Sequence, residues 1–462
     1  MIEDRRTFMK KCAVLGASVL ASGPAGAALR PGARQSLTIE AGASNFEREP
    51  LIRPFGFKGG YMREIWQSAV SLQGNGGFRK TGIGTQSVLW SDARVFAGHS
   101  ESGGNALMYA MTEHAVGLVK GRSFTDPVAM VDEIWPQVHE YGKKICGLAD
   151  LRDTFALNAM VPVDNAAWLI YAAANRHESF DDMIPEVYRP ALAYRHRHVA
   201  AIPLMAYAIP VSEIVEAASE GYFFMKIKIG QPGSQDEMLE KDMARLTGIH
   251  KAIGHMRTHH TEDGRIPYYF DANGRYESAD HLMRLLDHAK RIGAFDQIAL
   301  IEEPFDEHLE IDVRNIPVRL AADESAHTDR DALARIEMGY GAIAVKAIAK
   351  TLSMTLKIAR VAHESGVPCF CADLTVNPIL VEWNKNVAAR LAPFPGIGLG
   401  LLETNGHQNY LNWEAMLRHA PSSGHGWACV KDGVFELDED YYRQSGGIFM
   451  PSPHYEAMFA EP

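Results

Sequence analysis

Cysteine is scarce in this chain, with five among 462 residues, and its spacing suits neither a disulfide framework nor a thiolate metal site. Cys12 stands near the start, and the others are Cys146, Cys369, Cys371 and Cys429. Cys369 and Cys371 lie two apart in an apolar run, so on a strand they share a face and read as small buried residues. Oxidation of that CxC pair stays open as the alternative in an oxidising compartment. Positive charge is also in deficit: 46 Lys and Arg against 57 Asp and Glu leave a net charge of −11. That balance argues against nucleic acid or an anionic membrane as a partner. A small anionic substrate stays possible, because a local cationic pocket overrides the global sign. Low-complexity tracts are missing, and the apolar run CAVLGASVLA (12–21) is too short for a stable membrane anchor.

That run belongs to a recognisable leader. MIEDRRTFMKK carries the pair Arg5–Arg6, the apolar stretch follows, and small residues cluster around Ala25–Ala28. Charged, apolar and small-residue regions in this order resemble a twin-arginine export signal over 1–28. The expectation is a periplasmic or exported mature protein.

What the chain does have is a rhythm. Between Phe223 and Lys350, short β-rich apolar runs each finish on charged residues: FFMKIKIG (223–230), IPYYFDANG (266–274), QIALIEEP (297–304), RLAADES (319–325) and AIAVKAI (342–348). From Lys228 through Asp271, Glu302 and Asp323 to Lys346 the steps are 43, 31, 21 and 23 residues. Helical periodicity fills the gaps, as in ADHLMRLLDHAKRIG (279–293) and DRDALARIEMGYG (329–341). This is the cadence of parallel βα units. In a βα barrel, functional side chains collect at the C-terminal ends of the strands, where these acids and lysines fall.

The predicted fold is α/β: a modified TIM (β/α)-barrel with an N-terminal α+β capping domain. The capping domain takes 29–200, the barrel 201–430, and a C-terminal segment, 431–462, returns to the cap. Within the cap, 29–57 reads as a loosely ordered lead-in, 61–72 and 82–90 as strands, 91–104 as extra loop, and 105–200 as mainly helical. The glycine-rich QGNGGFRKT (73–81), which carries Arg79, is either a mobile lid or a long surface hairpin loop. The first barrel strand is placed at 201–210, the seventh at 367–374 and the eighth at 396–406.

Asp271, Glu302 and Asp323 end three successive strands and offer oxygen without sulfur or imidazole, a set that suits a hard divalent cation such as Mg²⁺, with Mn²⁺ as the substitute. Glu302 and Glu303 are adjacent, so on a strand they face opposite ways and only one of them coordinates. The same alternation is expected of Asp323 and Glu324. Lys226 and Lys228 share a strand face. Lys346 lies four strands further round and therefore opposite in an eight-stranded barrel. Burial and nearby positive charge are expected to lower a lysine pKa enough for base chemistry. Lys350 reads as an ordinary salt bridge. His259 and His260 lie in a polar connection and read as a solvated loop. The arrangement suits removal of the proton next to a carboxylate, since a divalent cation on the carboxylate oxygens stabilises the charge that develops there.

KIKIG, FDAN, IEEP, ADES and AVKAIAK, in this order, resemble the enolase superfamily, in particular the muconate-lactonizing branch of the mandelate racemase/muconate lactonizing enzyme family. The resemblance covers about 200–405 and, more loosely, the cap. It implies metal ligation by Asp271, Glu302 and Asp323, and base roles for Lys228 and Lys346, with Lys226 beside them. Further substrate-side candidates are Asn273, Glu324, Asp373, Glu403 and Arg79. The mandelate-racemase branch instead carries a Glu as third ligand and a His as second base, and AVKAIAK holds no His. The eighth strand ends LLETNG rather than in the acidic motif of the dipeptide epimerases, so the substrate is not carried over.

Two facing bases imply a racemase or epimerase acting on a small carboxylate. A β-leaving group on the substrate would turn the same chemistry into a dehydratase or cycloisomerase. A non-catalytic carboxylate-binding barrel and a glycosidase with paired carboxylates are the readings from other classes. A homo-oligomer is expected.

Overall fold

The computed structural model describes residues 35–57 and 60–460, so the leader at 1–28 lies outside the described residues. An antiparallel sheet comes first. Strand β1 (Leu37–Phe57) runs back along β2 (Gly60–Gly74), which pairs with β3 (Arg79–Gln86), and a short β4 (Arg122–Phe124) joins the other side of β1. The lead-in expected at 29–57 is thus replaced from Leu37 onward by the longest strand of the molecule. Its sequence hides this. Pro50 and Pro54 interrupt the run, and the pairing slips between Pro50↔Glu64 and Phe55↔Met62. Both faces of β1 are also largely half-exposed, so the alternation that betrays a strand never develops.

The second predicted strand needs trimming. β3 stops at Gln86, and Val88–Ser91 turns into a helix, α1, followed by α2 (Ala93–Gly98). The extra loop expected at 91–104 is therefore mostly helical. The Asp92 side chain caps α2 by accepting from the Arg94 N–H, and Ser100 caps α3 (Glu101–Val119) through the Gly103 N–H. With α4 (Pro127–Cys146) and α5 (Asp153–Asn175) these make the helical layer of the cap. α5 lies so close on β3 that a Cβ at Gly82 would come within 2.1 Å of the Pro162 carbonyl oxygen. Only glycine permits that approach.

Eight parallel strand positions then alternate with helices. The first is broken at Pro203 into β5 (His198–Ile202) and β6 (Leu204–Met205), and the expected 206–210 continuation is a turn. The others are β7 (Met225–Lys228), β8 (Tyr268–Asp271), β9 (Ile298–Glu302), β10 (Leu320–Ala322), β11 (Ala342–Val345), β12 (Cys369–Cys371) and β13 (Gly400–Glu403). β5 pairs in parallel with β13 and β6 in parallel with β7, so the two halves of the broken strand close the ring. Pro203 lacks the N–H that one continuous strand would need there. Helices α6 (Val211–Ser219), α7 (Gln235–Ile253) and α8 (Ala279–Ile292) follow β6, β7 and β8, the chain passes from β9 to β10 without a helix, and α9 (Asp329–Glu337), α10 (Leu352–Glu364) and α11 (Pro378–Ala388) follow β10, β11 and β12. Side chains alternate across the wall: Phe224, Tyr269, Ala342, Ala344 and Phe370 fill the barrel, while Ile227, Phe270, Ile343 and Cys371 pack beneath the helices. Cys369 and Cys371 are free and buried on that outer face. No helix among the described residues is long and apolar enough to cross a membrane.

Candidate active site

Strand register turns distant residues into neighbours. Lys228 stands opposite Asp271, and Asp271 opposite Glu302, across β7, β8 and β9. Lys226, two residues earlier on β7, points to the same side. Its Nζ donates to Glu302 Oε1 at 2.9 Å and to Glu403 Oε2 at 3.2 Å, and lies 3.0 Å from Asp271 Oδ2. Lys228 Nζ donates to the same Asp271 oxygen at 2.5 Å and to Asn273 Oδ1 at 2.6 Å. On the other side Lys346 Nζ donates to Asp323 Oδ2 at 2.5 Å. All of these groups are buried, with Lys228 only 7% and Lys346 1% exposed. One cavity is lined by Lys226, Lys228, Asn273, Asp323, Lys346 and Glu403.

The acids in and beneath that cavity do not behave alike. Burial alone would raise the Asp271 carboxyl, but the Lys226 and Lys228 ammoniums bring its pKa down to about 2. Burial and the charge of Asp271 hold Glu302 well above the usual carboxylate range, and its second oxygen accepts a short hydrogen bond from the Tyr269 hydroxyl. Glu303 turns the other way on a left-handed backbone (φ 41°) and braces the next strand end, accepting from the N–H groups of Asp323 (2.7 Å) and Ser325 (3.3 Å). The opposite facing expected of Glu302 and Glu303 is what the backbone shows.

For Asp323 and Glu324 the expected alternation fails. Oxygens of Glu302, Asp323 and Glu324 all lie within 4.8 Å of one another. β10 ends at Ala322, so the two acids sit in a turn and strand alternation no longer governs them. Lys350 holds that turn by donating to the carbonyls of Asp323 (2.7 Å) and Ala326 (2.9 Å). This is more than the simple salt bridge expected of it. Asp323 Oδ1 and Glu324 Oε2 are buried without a hydrogen-bond donor among the described residues. An all-oxygen set with two such orphaned acceptors fits a hard divalent cation.

Two of the buried lysines are held in the charged form by the carboxylates around them. Burial works against the charge on Lys346, yet the Asp323 carboxylate outweighs it and leaves the pKa raised. Lys226 is likewise held well above its ordinary value, burial being overcome by Asp271, Glu302 and Glu403. The expectation of a lowered pKa rested on burial, on Lys226 and on the charge of a bound cation, and the ion pairs built by the fold act against the first two.

Among the substrate-side candidates, Asn273 bridges the two walls, its amide donating to Glu324 Oε1 at 2.9 Å while its oxygen receives Lys228. Glu403 has Lys226 as its charge partner and also accepts from the Asp373 N–H at 3.0 Å. Asp373 is occupied by the N–H groups of Leu374, Val376 and Asn405. Burial, with Glu403 beside it, raises its pKa to about 7. Arg79 is not brought to the cavity. It lies exposed opposite Gln73 at the glycine-rich turn, and β3 runs from there to Gln86, beside which Ser87 lines the cavity. The turn at 75–78 is tight and belongs to the far end of the sheet, so neither Arg79 nor a lid at 73–81 serves the site. From the opposite end of the hairpin, Phe55, Phe57 and Tyr61 reach the barrel mouth instead.

The cap adds groups that sequence reasoning missed. The Trp90 ring on α1 lies 3.8 Å from Lys346 Nζ, and Phe57 lies 5.5 Å from Lys228 Nζ. Trp90 is set by Asn158 of α5, whose side-chain oxygen accepts from the Ser87 N–H (3.0 Å) and the Ser91 hydroxyl (3.2 Å) on either side of it. No charge pattern marks these residues. The only signal was that GIGTQSVLW ends on an aromatic. His259 and His260 gather with Asp432, each 3.4 Å from its carboxylate. Their connection precedes β8 and so lies at the opposite end of the barrel from the cavity.

Residues 211–410 match the family model described as enolase C-terminal domain-like. No curated protein matches the chain. Among solved structures, the fold is similar to a dipeptide epimerase from Enterococcus faecalis V583 complexed with Mg and the dipeptide L-Leu-L-Tyr. That match has 18% identity and a TM-score of 0.56, and it covers 79% of this chain and 90% of that one. It is similar to an L-talarate dehydratase from Polaromonas sp. JS666 complexed with Mg and L-glucarate, at 16% identity and a TM-score of 0.59, covering 87% and 93%. It is also similar to an N-succinyl Arg/Lys racemase from Bacillus cereus ATCC 14579, at 16% identity and a TM-score of 0.58, covering 81% and 89%.

Proposed function

We propose that this chain is an enzyme that moves the proton on the carbon next to a carboxylate, acting as a racemase or epimerase of the lysine–lysine, muconate-lactonizing type. The observation that carries the reading is the placement of Lys228, at the end of β7, and Lys346, just past the end of β11, in one buried cavity with carboxylates beside each of them. Glu302, Asp323 and Glu324, with Asp271 alongside, are the groups that would hold a divalent cation. When bound, Mg²⁺ would neutralise the negative charge that develops on the substrate carboxylate. Similar folds are complexed with Mg and carboxylate ligands, which supports that choice.

The chain's own residues do the rest. One lysine, as the free amine, takes the α-proton from one face of the substrate, and the opposed lysine, as the ammonium, gives a proton to the other face; a cation held by the carboxylates would weaken their ion pairs with the lysines and so favour the amine form. Asn273 ties Lys228 to Glu324 and so keeps the two walls in register. Trp90 and Phe57 cover the ammonium groups and exclude water. Lys350 and Glu303 hold the turn that presents Asp323.

The test is turnover in D₂O with Mg²⁺. The reading requires α-deuterium in the recovered acid and loss of optical activity. A 2-keto acid product would shift the assignment to dehydratase, a reading favoured by the similarity to the L-talarate dehydratase. Exchange that is unaffected by EDTA would exclude both. We also propose export through the twin-arginine leader, tested by fractionating cells that carry the native chain and an Arg5→Lys/Arg6→Lys variant. Equal periplasmic yield from the two would refute it.

A further inference from the structure

Beside the lysine-lined cavity lies a wider recess at the barrel mouth. The two share Phe55, Phe57, Leu204 and Asn273 as a common wall. The remainder is largely apolar and aromatic, with Tyr61 from the cap hairpin and Tyr207 from the turn after β6. Two guanidinium groups interrupt it. Arg53 comes from β1, and Arg275 from the turn that follows Asp271 and Asn273.

Some arginines of this chain are held by carboxylates, as Arg94 is by Asp92, Arg314 by Asp312 and Arg390 by Asp181, and others are not. Neither Arg53 nor Arg275 makes a side-chain hydrogen bond or ion pair among the described residues, although the charge of Arg275 acts on the neighbouring Tyr207 hydroxyl. Arg275 is nonetheless fixed from behind. Its N–H donates to the Ala272 carbonyl at 3.1 Å, and its own carbonyl accepts from Gln235 Nε2 at 2.9 Å. Its stem passes over Gly230, where a Cβ would come within 2.7 Å of Arg275 Cβ. The acid under the same turn, Asp242, is committed to the Gly230 N–H (2.7 Å) and the Tyr276 hydroxyl (2.8 Å). Arg275 thus has a fixed backbone and a guanidinium outside any ion pair, and it lines a recess that shares a wall with the lysine-lined cavity, where it can meet an anion.

We propose that this recess is a second recognition subsite, in which Arg275 and Arg53 bind a carboxylate at the far end of an elongated acid. Its apolar or aromatic middle runs along Phe55, Phe57 and Tyr207, while its other carboxylate lies between Lys228 and Lys346. A planar fork of donors matches a carboxylate bidentately, and an apolar surround strengthens that pairing. The inference rests on the reading of the lysine cavity as a carboxylate site, and names the substrate class as a dianion with its charges held apart.

The experiment is calorimetric binding to the full chain with Mg²⁺, using linear α,ω-dicarboxylic acids of increasing length and their ω-monoamides. At the preferred length the diacid should bind about tenfold or more tighter than its monoamide, as expected for a charge-assisted pair. In Arg275→Gln, and further in Arg53→Gln/Arg275→Gln, that ratio should fall towards one while the monoamide's own affinity holds. Far-ultraviolet circular dichroism and the Tm show whether each variant is folded. Equal binding of diacid and monoamide to the unaltered chain overturns the subsite but leaves the lysine cavity intact. Discrimination that persists in the double variant does the same. Binding of neither compound at any length overturns the carboxylate reading of the cavity and the subsite together.

Discussion

The floor and the roof of the cavity are made by different rules. The floor belongs to the barrel, where Lys226, Lys228, Asp271, Glu302, Asp323 and Lys346 come from strand ends that neighbour one another through parallel register. The roof belongs to the cap, where Phe57 ends a long strand and Trp90 sits on a four-residue helix held by Asn158. Floor residues are charged and balanced against each other within 2.5 to 3.2 Å. Roof residues are aromatic and act on those charges by covering them. Charge placement can be built into each βα unit locally, whereas covering a site requires a second body to arrive at the right distance. On the proposed function, the floor would carry the chemistry and the roof would set the conditions under which it runs.

Breaking the floor should cost most. Lys228→Ala and Lys346→Ala are each expected to lower the rate of α-proton exchange by about 10²- to 10⁴-fold, the range for loss of a general acid or base, with the fold retained. Single-turnover exchange in D₂O, together with circular dichroism, measures both. A variant that stays within a few-fold of the unaltered rate would remove that lysine from the chemistry. Chelation comes next: EDTA should abolish exchange, and added Mg²⁺ should restore it without a refolding step.

The roof should respond less, and asymmetrically. Trp90→Leu removes the ring over Lys346 and leaves Lys228 untouched, so exchange from one enantiomer of the substrate should slow by about tenfold relative to the other. Equal slowing of both would mean that Trp90 acts on the cavity as a whole. The smallest effect lies at the seam between the two bodies. Asp164 of α5 accepts from the Ser353 N–H (3.1 Å) and hydroxyl (2.5 Å) on α10, and burial raises its pKa to about 7. The folded state thus keeps a proton there that the unfolded chain releases near pH 4. The linkage slope is then negative, and this contribution to stability falls as pH rises from about 4 to 7. Asp164→Asn should be stabilising at pH 7, on the order of 1 kcal/mol, with the gain shrinking towards pH 4. Denaturant midpoints at the two pH values measure it, and a gain that grows as pH falls would contradict the buried-proton account.

Much of the floor was readable in the chain, because a short apolar run ending on a charge converts a sequence position into a place at the barrel mouth. Asp271, Glu302 and Lys346 needed little more than that. Glu324 was misread as facing away from Asp323, since alternation was extended past the end of β10 at Ala322. The ion pair that raises the Lys346 pKa is not legible in the chain, because its partner Asp323 comes from the turn after a different strand, β10. In the cap, Arg79 and the glycine-rich turn drew attention through composition, while the hairpin end that reaches the site carries Pro54, Phe55 and Phe57 and no such flag. β1 itself escaped notice because neither of its faces is uniformly buried.

By itself the sequence determined the order of the βα units, the strand ends on which acids and lysines stand, and the oxygen-only character of the acidic set. These follow from local periodicity and residue type, which a linear pattern carries in full. Only the tertiary structure decided which end of the β1–β2–β3 sheet meets the barrel, that Trp90 covers Lys346, and that Arg275 and Arg53 face one recess. Those outcomes depend on how two separately patterned bodies pack, and packing is a property of whole surfaces rather than of any stretch of chain.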